Sequence, residues 1–240
     1  MGTQEVKLGD TAYIRQCIKT GNNRKYLEEF EERPEEPWRP VLTGKDIGRY
    51  YIDWPQRYVK YGDWLARNWK NENFYERTKI TIRETSDRIT AALDTDNRYL
   101  LSTLYSVYYK EDPQTDDSLR YLLGIINSDA AQFYMHQLIF ALNEGAFTKA
   151  RTNHYERLPI PAPAGEISLQ EITSESEYDG SSYQRIVSAV KDIESANQKR
   201  NELNLNLLDY LGNYTEGLNL PDIGLFQPTG SNILDATTED

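Results

Sequence analysis

The stretch Tyr121–Pro163, YLLGIINSDAAQFYMHQLIFALNEGAFTKARTNHYERLPIPAP, constrains the fold more than any other part of the chain. It is the most hydrophobic run in an otherwise polar sequence. Leu122, Leu123, Ile125, Ile126, Phe133, Tyr134, Leu138, Ile139, Phe140 and Leu142 recur at helical spacing. Asn127-Ser128-Asp129 breaks the run and reads as the N-cap of a second helix, because a short polar side chain accepts from the free N–H groups of a first turn. Gly145 supplies a turn and Phe147–Tyr155 is mixed. Leu158-Pro159-Ile160-Pro161 cannot continue a helix. Two buried helices and a hard stop predict the point where a domain closes its core.

Ahead of that pair the pattern is mainly extended. Tyr13–Ile18 reads as a strand, followed by the turn Thr20-Gly21-Asn22-Asn23. Trp38–Leu42, Gln56–Tyr61, Lys79–Glu84, Arg88–Asp94 and Leu101–Lys110 read as further strands, with Thr85-Ser86-Asp87 as a tight connection. Asp63 to about Arg77 reads as an inserted helix, its Trp64, Leu65, Asn68 and Trp69 on overlapping faces. Beyond Pro163, Glu166–Gly180 is acidic and Ser-rich, the composition of a linker. A long helix is predicted from Ser181 to about Leu211, its apolar seam interrupted at Asn197–Asn201 and its end set by Gly212. The expected class is α+β: mainly strands with an inserted helix, closed by a helical pair and followed by a long C-terminal helix. The expected plan is a domain over 1–163, a linker over 164–180, a spacer or docking helix over 181–212 and a mostly extended tail over 213–240.

Charge is distributed unevenly. The net charge of −11 divides into +1 over residues 1–100 and −12 over 101–240. Glu28–Glu36 alone holds six acids, whereas residues 40–100 carry 11 bases against 9 acids. Net charge bears on solubility and long-range steering, not on what one face can bind. The single Cys17 excludes an internal disulfide and a Cys-based zinc cluster. No run reaches the ~18 apolar residues of a membrane span, and no signal-peptide core opens the chain, so a cytoplasmic protein without membrane contact is expected.

The motifs of catalysis are missing. Gly44-Lys45-Asp46 lacks the rest of a phosphate loop, and no G-x-S-x-G elbow occurs. His136 and His154 are too far apart for a helical metal pair, and His136 reads as a core residue. Glu5-Val6-Lys7 matches only the last fragment of a nuclease motif. No catalytic or metal-binding residue is therefore assigned. What remains is an interleaving of bases and aromatics in loops. Lys19, Arg24 and Lys25 flank the first turn, Lys45 and Arg49 sit in the glycine loop, and Arg83 and Arg88 bracket the hairpin connection. Lys149 and Arg151 are bases in an otherwise acidic half. Such side chains reach phosphates or guanine edges in a major groove when loops at one end of a sheet present them together. A solvated, locally paired surface charge is the alternative at each position.

Taken in order, these segments resemble a known family. Cys17-Ile18-Lys19-Thr20-Gly21-Asn22-Asn23 and Val41-Leu42-Thr43-Gly44-Lys45-Asp46-Ile47-Gly48-Arg49-Tyr50 resemble the opening of the TaqI-like C-terminal specificity domain. Lys79-Ile80 is similar to its middle. Tyr121–Ser128, Phe147-Thr148-Lys149-Ala150 and Leu158-Pro159-Ile160-Pro161 resemble its close. The likeness covers roughly residues 13–163. It implies a target-recognition domain of adenine-N6 DNA methyltransferases or fused restriction–modification enzymes, similar also to the recognition domains of type I specificity subunits. The implied partners are double-stranded DNA and a methyltransferase catalytic domain, covalently linked or separate. The implied DNA-binding residues are the nine bases named above. No cofactor is expected in this chain; S-adenosylmethionine, with Mg as a further expectation, belongs to the parent enzyme. The helix after the proline stop sits where a spacer would. Met1-Gly2 reads as an addition ahead of a C-terminal fragment, with a stand-alone specificity subunit as the alternative. A protein-interaction module docking a catalytic subunit through its acidic C-terminal part is the rival reading.

Overall fold

The structure, a computed structural model, describes residues 6–111, 114–138, 148–161 and 181–218. The expected linker at 164–180, the tail from 219 onward and the hydrophobic residues 139–147 lie outside the described residues. The chain divides into two compact units, Met1–Glu194 and Ser195–Asp240. Among the described residues, no helix is long and apolar enough to cross a membrane.

In chain order the elements are α1 (Leu8–Thr11), β1 (Ala12–Gln16), α2 (Asn23–Tyr26), β2 (Leu27–Glu29), β3 (Trp38–Leu42), β4 (Ile47–Gly48), β5 (Tyr51–Ile52), β6 (Arg57–Lys60), β7 (Lys79–Arg83), β8 (Thr85–Ser86), β9 (Ala91–Asp94), β10 (Tyr99–Leu100) and β11 (Leu104–Tyr109). They continue with α3 (Asp116–Ile126), α4 (Asp129–Leu138), β12 (Thr148–Lys149), α5 (Thr152–Tyr155) and α6 (Ser181–Leu218). The α+β class holds. One sheet has the order β1-β11-β7-β9 and is antiparallel throughout; a second has the order β10-β3-β6-β2.

Alternation along the first sheet separates two cores. Ala12, Ile14, Ile80, Ile82, Tyr105 and Val107 face the helices α3 and α4. Cys17, Ala92 and Leu104 face a second core with Val41, Leu42 and Val59 of the second sheet. Burial pushes the Cys17 thiol up to about 12, so it stays protonated and inert. The proline stop closes the first core. Ile160 donates its N–H to Val6 O, Leu8 donates to Leu158 O, each at 2.8 Å, and the Tyr121 hydroxyl donates to Pro161 O at 3.0 Å.

The structure alters several sequence expectations. Residues 63–77 are not a helix; only the 3-10 turn Glu72–Phe74 is regular there. Their aromatics staple a loop instead. Trp64 Nε1 donates to Lys60 O at 3.0 Å, Trp69 Nε1 to Gln16 O at 3.0 Å, and the Tyr61 hydroxyl to Trp69 O. Of the polar triplet, Ser128 alone caps α4, accepting from Ala131 N at 3.0 Å. Asn127 is buried and bonded to the sheet. His136 is exposed, because Met135 beside it takes the core position. Gly212 lies within α6 rather than ending it; an interior glycine costs roughly 1 kcal/mol, which does not stop a long helix.

The first part of α6 is seated on α3. Val187 and Val190 are buried there, Arg120 Nε meets Glu194 at 2.8 Å, and Lys191 meets Asp117 at 2.8 Å. Gly124 makes the close approach possible: a Cβ at that position would lie 2.7 Å from Ile186 Cγ2 and 3.2 Å from Val190 Cγ2. Gly124→Leu is expected to lower stability by about 1–3 kcal/mol through overpacking, although leucine is the better helix former. Urea unfolding measures this; a more stable variant would mean that α6 does not seat on Gly124.

Candidate nucleic-acid interface

The loop from Thr43 to Tyr50 is built around Asp46. Thr43 and Asp46 form a capping box: Lys45 N donates to Thr43 Oγ1 at 3.3 Å, and Thr43 N to Asp46 Oδ2 at 2.6 Å. Arg57 Nη1 reaches both Asp46 oxygens at 2.8 Å, and its Nη2 pairs with Glu29 at 2.8 Å. Burial opposes the Arg57 charge, but Asp46 and Glu29 more than offset it and raise its pKa. Asp46 is thus a buried anchor, while its neighbour Lys45 is exposed at the tip. Gly44 N donates to Thr103 Oγ1 at 2.9 Å, and Thr103 O accepts from Glu84 N at 2.9 Å, which brings this loop to the end of β7.

Arg49 and Tyr50 turn the chain from β4 to β5. Tyr50 has φ of +66° and donates its N–H to Ala91 O at 2.8 Å, docking the hairpin on the edge strand β9. The Tyr51 ring occupies the space beside Gly48, where a Cβ would lie 2.0 Å from it. Two arginines of this region turn inward. Arg83 Nη2 donates to Ile47 O and Arg49 Nη2 to Asn127 O. Arg88 pairs with Asp129 at the start of α4.

The segment 148–151 completes the rim. Thr148 and Lys149 pair antiparallel with Ser86 and Thr85. Ala150 is buried and its carbonyl accepts from the Tyr105 hydroxyl at 2.9 Å, while Tyr155 anchors α5 in the first core. Arg151 is exposed. Its N–H donates to His154 Nδ1 at 3.1 Å; partial burial first, then Arg151 and Arg157, hold the His154 pKa below its usual value.

Of the nine bases singled out from the sequence, these contacts bring Lys45, Arg49, Arg83, Arg88, Lys149 and Arg151 to one end of the first sheet. Lys45, Arg88 and Arg151 are exposed, Arg88 in a surface pair with Asp129; Arg49 and Arg83 brace the scaffold. Lys19 is exposed just beyond the end of β1, its backbone bridged to Arg67 at 2.9 Å. Arg24 and Lys25 are exposed on α2, which enters β2 at the end away from the Glu29–Arg57 pair. Sequence reasoning passed over Asp46 and Asn127, which position this rim. The T-x-x-D spacing of a capping box was a legible signal for Asp46; Asn127 carried none. Among the described residues, no group of three or more His, Cys, Asp or Glu side chains is arranged to hold a metal.

The family profile described as the TaqI-like C-terminal specificity domain matches residues 39–160, just over half of the chain. The chain belongs to that family. The matched span contains the Thr43–Tyr50 loop, the β7–β9 connection and the β12 segment of this specificity domain. Among curated proteins no match is found. Two similar solved structures are a chain from a study of complex assembly and conformational transition of the type I R-M system, and the Type IIL restriction-modification enzyme MmeI in complex with DNA. The first gives a TM-score of 0.46 at 15% identity over 85% of this chain and 43% of that one. The second gives 0.47 at 11% identity over 82% and 29%. The specificity domain spans less than half the length of either.

Proposed function

We propose that this chain reads a short duplex DNA sequence for an adenine-N6 DNA methyltransferase or a fused restriction–modification enzyme in the cytoplasm, and leaves the chemistry to a methyltransferase domain. Its membership of the specificity-domain family carries this reading, and the rim supplies the residues for it. Lys45 and Arg151 are exposed bases set on buried anchors, the arrangement that base readout needs. S-adenosylmethionine belongs to the methyltransferase domain, with Mg as a further expectation for the parent enzyme.

Selection of bound duplexes from a random pool defines the preferred sequence. Lys45→Gln and Arg151→Gln are then each expected to weaken binding to it by about 1–3 kcal/mol and to relax preference at one position. Unchanged affinity and preference in both variants would remove the rim from recognition. The rival reading, a docking module for a catalytic subunit, draws on α6. Because α6 covers α3 up to Glu194, the informative truncation removes residues from Ser195 onward and leaves the first core closed. Loss of subunit assembly with DNA preference retained would assign that part of the helix to docking.

A further inference from the structure

The first sheet carries a second positive field, on its outer face. Pleating along β1 and β11 sends Ala12, Ile14 and Val107 into the helical core, and places Tyr13 opposite Tyr108 and Arg15 opposite Ser106 on the other face. Toward β7 and β9 the second core covers that face. At the β1 edge, Arg15 and Lys110 are exposed. The Arg15 guanidinium lies 4.7 Å from the centre of the Tyr13 ring and the Lys110 ammonium 5.6 Å from the same ring. Arg77 lies 4.4 Å over Tyr108, and the two tyrosine rings are 5.5 Å apart. Arg39, Arg57, Arg88, Arg98 and Arg120 all engage carboxylates; among the described residues, none pairs with Arg15, Arg77 or Lys110. In a chain with a net charge of −11, three gathered cations that pair with no carboxylate among the described residues call for an anionic partner.

We propose that this face grips the phosphate backbone of duplex DNA beside the bases that the rim reads. The proposal rests on the reading of the chain as a duplex-DNA recognition domain. Two observations favour phosphate over stacked bases. The ring faces are already occupied, by the cations and by one another, so they offer no bare platform to an unpaired base. Cations held over rings also have less side-chain freedom left to lose when a phosphate arrives. The face adjoins the rim: Gln16, the last residue of β1, donates to Glu84 at 3.1 Å, next to Arg83, and accepts from Arg67 at 2.9 Å.

The test is fluorescence anisotropy of the full chain on a mixed-sequence duplex over a series of salt concentrations. Each phosphate contact adds about 0.9 to the log–log salt slope, so the variant R15Q/R77Q/K110Q is expected to flatten it by about 2 to 3 and to weaken low-salt binding about tenfold or more. Its preference among sequences is expected to stay that of the parent chain. The charge-keeping variant R15K/R77K, expected to hold the parent slope, separates loss of contact from loss of fold. K45Q/R151Q is expected to lose preference and keep most of the slope. An unchanged slope in the triple glutamine variant, with the parent chain binding normally, overturns the proposal. So does loss of polyglutamate binding with duplex binding intact, which would make the partner an acidic peptide. A parent chain that binds no duplex at any salt concentration would overturn the DNA reading itself.

Discussion

Asp94→Asn is expected to cost about 3–5 kcal/mol of folding stability, because it strands a buried ammonium. Lys79 and Asp94 are fully buried in the first sheet, with Nζ 2.8 Å from Oδ2. Lys79 spends its other two hydrogens on Tyr75 O at 2.8 Å and Arg77 O at 3.1 Å. Asp94 also accepts from Arg98 N at 2.8 Å and Arg98 Nη1 at 2.9 Å. Burial pulls the Lys79 pKa down and Asp94 opposes that pull. Without the carboxylate, the folded-state value falls further below the 10.5 of an unhindered lysine. Between those two values the unfolded chain binds more protons than the folded one, so stability of the variant rises with pH. Urea titrations at several pH values should show the deficit narrowing as the solution becomes more alkaline. A constant deficit would mean that lost packing, not the stranded charge, is responsible. Replacing the pair together, Lys79→Met with Asp94→Leu, is expected to restore most of the loss.

Asn127→Ala is the second effect, about 1–3 kcal/mol, since it strands the buried Ala91 N–H while Ala91 O keeps the N–H of Tyr50. Asn127 is 2% exposed. Its Oδ1 accepts from Ala91 N at 3.1 Å and its Nδ2 donates to Ala91 O at 2.9 Å. The side chain therefore completes the edge of β9 as another strand would. Hydrogen exchange at the Ala91 amide is the local readout. Protection there that survives the substitution would show that the edge is covered by something else.

The strands were legible wherever alternation and β-branched residues agreed: Trp38–Leu42 is the observed β3, the Tyr13 segment overlaps β1, and the Gln56, Lys79, Arg88 and Leu101 segments each contain an observed strand. The helix expected over 63–77 misled because Trp64, Leu65 and Trp69 fall at helical spacing while the Trp64 and Trp69 indole N–H groups bond carbonyls of Lys60 and Gln16. Spacing records which residues are apolar, not which partner their polar edges find. The same limit applies at the rim. Lys45 and Arg49 look equivalent in sequence, yet Lys45 meets solvent and Arg49 meets Asn127 O, a partner 78 residues away. A long cation reaches several ångströms in any direction, so only tertiary neighbours decide whether it braces or reads. The family resemblance rested on local motifs and was therefore readable early.

The separation between Asp46 and Lys45 has a consequence for how such a domain changes its target. One residue carries the loop's attachment, through Thr43 and Arg57, and the next carries its exposed charge. The same division recurs where Ala150 is fixed by Tyr105 and Arg151 is left outside. Substitution at the outer member of each couple removes no buried contact. Libraries that randomise positions 45 and 151 should thus keep the scaffold's melting behaviour while, on the proposed reading, sampling new chemistry against DNA, so that drift in preference need not pass through unfolded intermediates.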